Sequence, residues 1–183
     1  MNQVIQTILE RRSVRRYRPE QIPEEQLQTL LQAAAMAPSA YGRQERVTVA
    51  VQNREILDEI SGDVQAMLVS DPLYREEASV PDFHVFFHAP TVFVICGPAY
   101  SKYAAYDCAV AAQNIQVVAQ SLGLGSCYIG LADPYVDGDK GRQMVKRLGV
   151  SGDYKIICCV TVGSPEEHPS PDPRKDGITL VVR

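Results

Sequence analysis

A chain of 183 residues with a formal net charge of -4, 45% hydrophobic and 22% charged residues has the makings of one ordinary domain around a buried core. Its acidic balance argues against non-specific binding to nucleic acid, which needs a broad basic surface. Its apolar stretches fall short of the roughly 20 residues that span a membrane, and MNQVIQTILERR lacks the pattern of a signal peptide.

A first helix is expected from about Asn2 to Arg12, with Val4, Ile5, Ile8 and Leu9 as its apolar stripe. Then comes RRSVRRYRP, five arginines in nine residues. Pro23 opens a second helix with Glu24 and Glu25 in its first turn; Leu27, Leu30, Leu31 and Ala34 form its buried face and Pro38 stops it. VTVAV from Val47 reads as a strand, and REILDEISGDVQAML as a helix weakened at Gly62. From Ser70 to Pro90 the pattern breaks into a polar loop with aromatic insertions, a functional lid or a mobile segment. TVFVIC follows as a central strand.

KYAAYDCAVAAQNIQVVAQSLGLG is the longest helix, rich in alanine and ended by Gly123 and Gly125. Its small side chains let a neighbouring backbone or a flat ligand come close. SCYIG is a short strand, DKGRQMVKRLG a helix, and KIICCVTVG the third long apolar strand. A proline-rich tail leads to a last strand, ITLVV. This irregular interleaving predicts a three-layer α+β sandwich around one sheet. The extended tail also makes exchange of the last strand between two subunits a sensible expectation.

Chemistry is sparse. Cys96, Cys108, Cys127, Cys158 and Cys159 form no C-x-x-C pair and read as buried thiols of a reducing cytoplasm. Cys158 and Cys159 are expected on opposite faces of a strand. His84 and His88 would share a face only if helical, and no H-E-x-x-H accompanies them, so no metal site is expected. Asp107 is a buried acid or a structural hydrogen-bond acceptor. The arginine run is a solvated face or a site where arginine forks and Ser13 grip one phosphate, with Arg174-Lys175 as a second basic pair. No nucleophile-base pair or carboxylate pair stands out, so the hard chemistry of an enzyme here would belong to a bound cofactor.

Four segments in order resemble the nitroreductase family of FMN-dependent oxidoreductases, and the likeness covers essentially the whole chain. RRSVRRY is similar to its R-R-S-x-R-x-[FY] start, and AAMAPSAYGRQ to A-x-x-A-P-S-x-x-N-x-Q. DCAVAAQNIQVVAQSLGLGSCYIG resembles the central helix and strand, and VGSPEEHPSPDPRKDG the closing G-x-P…P-R-K segment. The resemblance implies an α/β/α sandwich on a mainly antiparallel sheet, a homodimer with FMN at its interface, and a C-terminal strand exchanged between subunits. Arg11, Arg12, Ser13 and Arg15 would contact the FMN phosphate and ribityl chain, with Arg174 closing on the phosphate. Pro38 and Ser39 would lie along the partner subunit's flavin with Gln44 near them, and Ile129 and Gly130 would pass backbone beside the ring.

The implied reaction is ping-pong: NADH or NADPH gives hydride to flavin N5, then a nitroaromatic, quinone or similar flat acceptor takes it. Other flavin chemistry on the same fold and a non-catalytic FMN store are the alternatives. Three departures from the family pattern stand out. Gly42 replaces an asparagine, Glu45-Arg46 replaces Pro-Trp, and Asp172 replaces a lysine.

Overall fold

The computed structural model describes residues 2–131, 133–171, 173–175 and 179–182. Asp172, one of the three departures, and Ile178, in the expected last strand, lie outside them. The elements run α1 (Gln3–Glu10), α2 (Glu24–Ala35), β1 (Val47–Val51), α3 (Arg54–Ser70), α4 (Arg75–Ala78), β2 (Thr91–Pro98), α5 (Ala104–Ser121), β3 (Gly125–Ile129), α6 (Asp133–Val136), α7 (Asp139–Arg147) and β4 (Tyr154–Gly163).

Among the described residues the sheet has four strands in the order β1-β2-β4-β3, and its three pairings are antiparallel. The central strand β2 is buried along its whole length, as its unbroken apolar run requires. On one face Leu57, Ile60 and Val64 of α3, with Met144 and Val145 of α7, cover Val92, Val94 and Cys159. On the other, Leu27, Leu30 and Ala34 of α2, with Cys108, Ala111, Ala112 and Ile115 of α5, cover Phe93, Ile95 and Cys158. The expected three layers are present, and Cys158 and Cys159 do face opposite ways. A bulge opposite Ile95/Cys96 makes this less simple than strict alternation. Ile156 and Cys158 are two residues apart yet join different cores, because the extra residue reverses the pleat.

Local signals explain the boundaries. Asn2 and Asn53 cap α1 and α3, their side-chain oxygens accepting the N–H groups of Val4 and Ile56. Gly62 does not interrupt α3. Gly123 ends α5 with φ +74°, a conformation that favours glycine. The segment from Ser70 to Pro90 is more structured than expected, with α4 and a tight turn before β2.

Two apolar segments lie open in the single chain. The stripe of α1 is not buried: Val4, Ile5, Ile8 and Leu9 are exposed and only Thr7 is buried. Thr179–Val182 forms no strand, and Leu180, Val181 and Val182 are exposed. A strand needs a neighbouring edge, and none of the described residues pairs with this segment.

Candidate functional site

The arginine run is pinned between the start of β3 and the end of β4. The Val14 N–H donates to the Ser126 carbonyl (3.0 Å), Arg18 N–H to Ser164 (2.9 Å) and Glu166 N–H to Arg16 (3.0 Å). Ser13 bridges Ser126 and Tyr17 bridges Pro165. The Tyr17 hydroxyl is buried 2.5 Å from the Val14 carbonyl and 2.8 Å from Thr161 Oγ1, and burial pushes its ionisation far up. Gly125 permits this approach, since a Cβ there would lie 2.8 Å from the Val14 side chain.

Val14 and Tyr17 are buried while Arg15, Arg16 and Arg18 are exposed and Arg11 and Arg12 half-buried. None of the five joins an ion pair among the described residues. Arg12 Nη1 donates to the carbonyls of Leu9 and Arg11, both at 2.7 Å, closing the end of α1. Arg11 Nη1 and Arg12 Nε are buried without a hydrogen-bond partner among the described residues. Burial, then the neighbouring charge of Arg12, and to a lesser extent Arg174, hold Arg11 below the ordinary arginine range, with Cys127 opposing. Three guanidinium groups from the two ends of the sequence therefore converge. Buried, unpaired N–H donors on cations are costly, and an anion such as a phosphate group satisfies them. The residues fit such a group.

Beside this cluster opens a cavity of about 1030 Å³ whose walls include Arg15, Ile129 and Gly130 together with Tyr17, Phe87 and His88. The Arg15 guanidinium carbon lies 5.7 Å from the centre of the Phe87 ring, and its backbone N–H donates to Glu167 (2.6 Å). Burial pushes the Cys127 thiol up, partly offset by Arg15, a hydrogen bond from Ser13 and Arg11, so Cys127 stays an unreactive thiol in the wall. Cavity, arginine cluster and the backbone of β3 form one continuous region.

Pro38, Ser39 and Gln44 are elsewhere. Their loop is tied to the first turn of α5, where Asp107 Oδ1 accepts the Ala40 N–H (2.9 Å) and the Tyr41 and Tyr103 rings meet edge to face at 5.8 Å. Asp107 is thus a structural acceptor. Ser39 Oγ accepts the Gln44 N–H (3.0 Å), and Tyr41, Gly42 and Gln44 all have positive φ. The arginine run sits by β3, beyond the other end of α5. That 18-residue helix is about 27 Å long at 1.5 Å per residue. Within one chain the two groups of expected site residues do not meet.

His84 and His88 are not on a helix, but their rings are close, with centres 4.3 Å apart. Phe87 and His88 both have φ 52°, and adjacent non-glycine residues in that region cost on the order of 1–3 kcal/mol each. The residues that the pattern of the sequence did not single out for the cavity are Phe87 and Tyr17. Their signal was the second phenylalanine of HVFFHAP and an aromatic inside the arginine run.

The nitroreductase family model matches residues 8–164. The chain belongs to the nitroreductase family. Among solved structures, the nitroreductase with bound FMN from Bacteroides fragilis is 30% identical, covers 100% of both chains and superposes with a TM-score of 0.92. The nitroreductase with bound FMN from Desulfitobacterium hafniense is also 30% identical over 100% of both chains, with a TM-score of 0.88. An NADPH-flavin oxidoreductase from Vibrio harveyi is 28% identical over 191 residues, 99% of this chain and 73% of its own. The α/β/α sandwich and antiparallel sheet are therefore those of the nitroreductase fold.

Proposed function

We propose that this nitroreductase-family chain is an FMN-dependent oxidoreductase that passes hydride from NADH or NADPH to a flat acceptor, a nitroaromatic or quinone. The observation that carries the reading is the pair of buried, unpartnered nitrogens on Arg11 and Arg12, beside Arg174 and next to a roomy cavity. Bound FMN supplies the two-electron carrier that the side chains lack. Two relatives of the same fold are described with FMN bound.

In this reading Arg11, Arg12 and Ser13 hold the phosphate and ribityl chain, and Arg174 closes on the phosphate from the tail. Arg15 stands at the cavity wall, where its fixed charge would favour a bound group that takes up electrons. Ile129 and Gly130 offer main chain beside the ring. The cavity is open to solvent along Asp82 and His88, and solvent supplies the protons.

Pro38, Ser39 and Gln44 serve the site of a second subunit, which accounts for their distance from Arg15 within one chain. The same dimer would cover the exposed stripe of α1 and the exposed Tyr106 and Val110 of α5. Leu180, Val181 and Val182 would then add a strand to the partner. Residues 1–183 act as one FMN-binding domain. Five free, buried cysteines suit the reducing cytoplasm, and no helix among the described residues is long and apolar enough to cross a membrane. Small flat acceptors, and neither nucleic acid nor membrane, are the expected partners.

The test is the anaerobic visible spectrum of the purified protein during titration with NADH and then NADPH. Flavin bands that bleach support the reading and identify the donor. Colourless protein that refuses added FMN overturns it.

A further inference from the structure

The turn that precedes β2 has a feature that neither the core nor the arginine cluster uses. His84 is buried and its ring is fully engaged: Nδ1 accepts the N–H groups of Phe86 (3.1 Å) and His88 (3.4 Å), and Nε2 lies 3.3 Å from Asp58 Oδ1. Phe87 N–H also donates to the His84 carbonyl (2.8 Å), Ala89 N–H to Phe86 (3.0 Å) and Val85 N–H to Ser61 Oγ (2.9 Å). These bonds hold Phe87 and His88 in the left-handed region, both at φ 52°. Strain of that kind persists only where its surroundings over-determine it, and it gathers at functional sites.

His88 is the opposite of His84. Its side chain is 45% exposed, lines the same cavity as Arg15, Ile129 and Gly130, packs beside the His84 ring, and among the described residues has Asp82 as its one ion-pair partner, Nε2 to Oδ1 at 3.3 Å. Asp82 is 97% exposed, so water competes for it. The ring nitrogens of His88 are therefore available to a molecule in the cavity.

We propose that His88 is the acceptor-binding donor of this enzyme: its imidazole N–H hydrogen-bonds the carbonyl or nitro oxygen of the acceptor, with His84 as the positioning residue that holds the turn. The proposal rests on the flavin-reductase reading above. It deepens that reading by naming what the acceptor must carry, an oxygen that gains negative charge as it is reduced. For a quinone, NAD(P)H supplies one hydride and solvent one proton, giving hydroquinone and NAD(P)+. His88 donates a hydrogen bond throughout and is left unchanged. A preplaced donor at the oxygen where charge develops strengthens as the reaction proceeds, and an acceptor without such an oxygen gains nothing from it.

The experiment uses the FMN-loaded protein, reduced anaerobically by NADH or NADPH, and follows reoxidation by menadione and by ferricyanide, which takes electrons without such a hydrogen bond. His88→Phe removes the donor, and His88→Asn, whose short side chain tolerates the left-handed backbone, removes its reach. His88→Gln restores a donor of similar length. The expected result is a fall in kcat/KM for menadione of about tenfold or more in the Phe and Asn variants. The Gln variant should stay within about threefold of wild type, and ferricyanide within about twofold throughout. Menadione reduction within about twofold of wild type in His88→Asn would overturn the proposal. So would a parallel loss with both acceptors, which marks a purely structural role. Wild-type protein that holds no flavin, or whose flavin is not bleached, overturns the underlying reading and this proposal with it. Bleaching with intact menadione turnover in the variants overturns the proposal alone.

Discussion

Nη2 of Arg46 lies 2.9 Å from the carbonyl oxygen of Ala34, and the same guanidinium reaches the carbonyls of Ala35 (3.1 Å), Ala37 (2.5 Å) and Pro38 (3.1 Å). The last carbonyls of a helix have few partners within it, and here one guanidinium donates to two of them, Ala34 and Ala35, and to the two carbonyls of the turn that follows, Ala37 and Pro38. This gives Arg46 a structural role at the end of α2. Its neighbour Glu45 accepts the Tyr154 hydroxyl on its carbonyl at 2.7 Å, joining the same loop to β4. Arg46→Ala should therefore cost about 1.5–3 kcal/mol, read as a lower midpoint in urea unfolding. Arg46→Lys, a point charge without the fork, should recover only part of it.

Arg11 and Arg12 carry the unpartnered buried nitrogens. Replacing Arg11 by Ala should raise the Kd for FMN at least about tenfold, or about 1.4 kcal/mol. Arg43→Ala, in the loop at the other end of α5, should leave thermal stability of the apoprotein within about ±0.5 kcal/mol. Fluorescence quenching of FMN on titration with apoprotein measures the first, and thermal unfolding of each variant shows whether Arg11→Ala has lost affinity or merely lost fold.

His84 gives the protein an acid-side weakness. Burial first, then the like charge of His88, lowers its pKa from the ordinary 6.5, with Asp58 opposing. As pH falls through 6.5 the unfolded chain takes up a proton that the folded chain declines. The stabilisation is therefore complete above that value and is lost progressively toward the lower folded pKa. His84→Asn keeps an acceptor oxygen and does not titrate. The stability advantage of wild type over this variant should shrink between pH of about 7.5 and about 5.5 in parallel thermal melts. An advantage that stays constant would contradict the assignment.

Ile5 and Ile8 lie on the exposed stripe of α1, each 51% exposed in the single chain. Replacing both by Lys removes apolar area worth about 1.5–3 kcal/mol per side chain when buried and sets like charges against each other across a two-fold interface. Sedimentation velocity should find wild type as a dimer and the double variant shifted toward monomer, with FMN affinity reduced in step. Equal sedimentation of the two would remove α1 from the interface.

What the sequence determined by itself follows from short-range rules. Unbroken apolar runs at Val47, Thr91 and Lys155 became strands, and asparagine, glycine and proline punctuated the helices near the expected positions, because capping and backbone restriction act within a turn. The nitroreductase character was legible in four ordered segments for a related reason: the identity and spacing of residues within each segment, and the order of the segments, are carried by the sequence itself. Other features were decided only by the tertiary structure. The Arg46 cap, the convergence of Arg174 on Arg11, and the left-handed turn that puts Phe87 and His88 in the cavity join residues whose separation in sequence carries no pattern. The apolar stripe of α1 illustrates the limit in the other direction. Its periodicity fixes a helix with one greasy face, but periodicity cannot say whether that face meets its own core or another chain, since burial depends on what the rest of the fold leaves beside it.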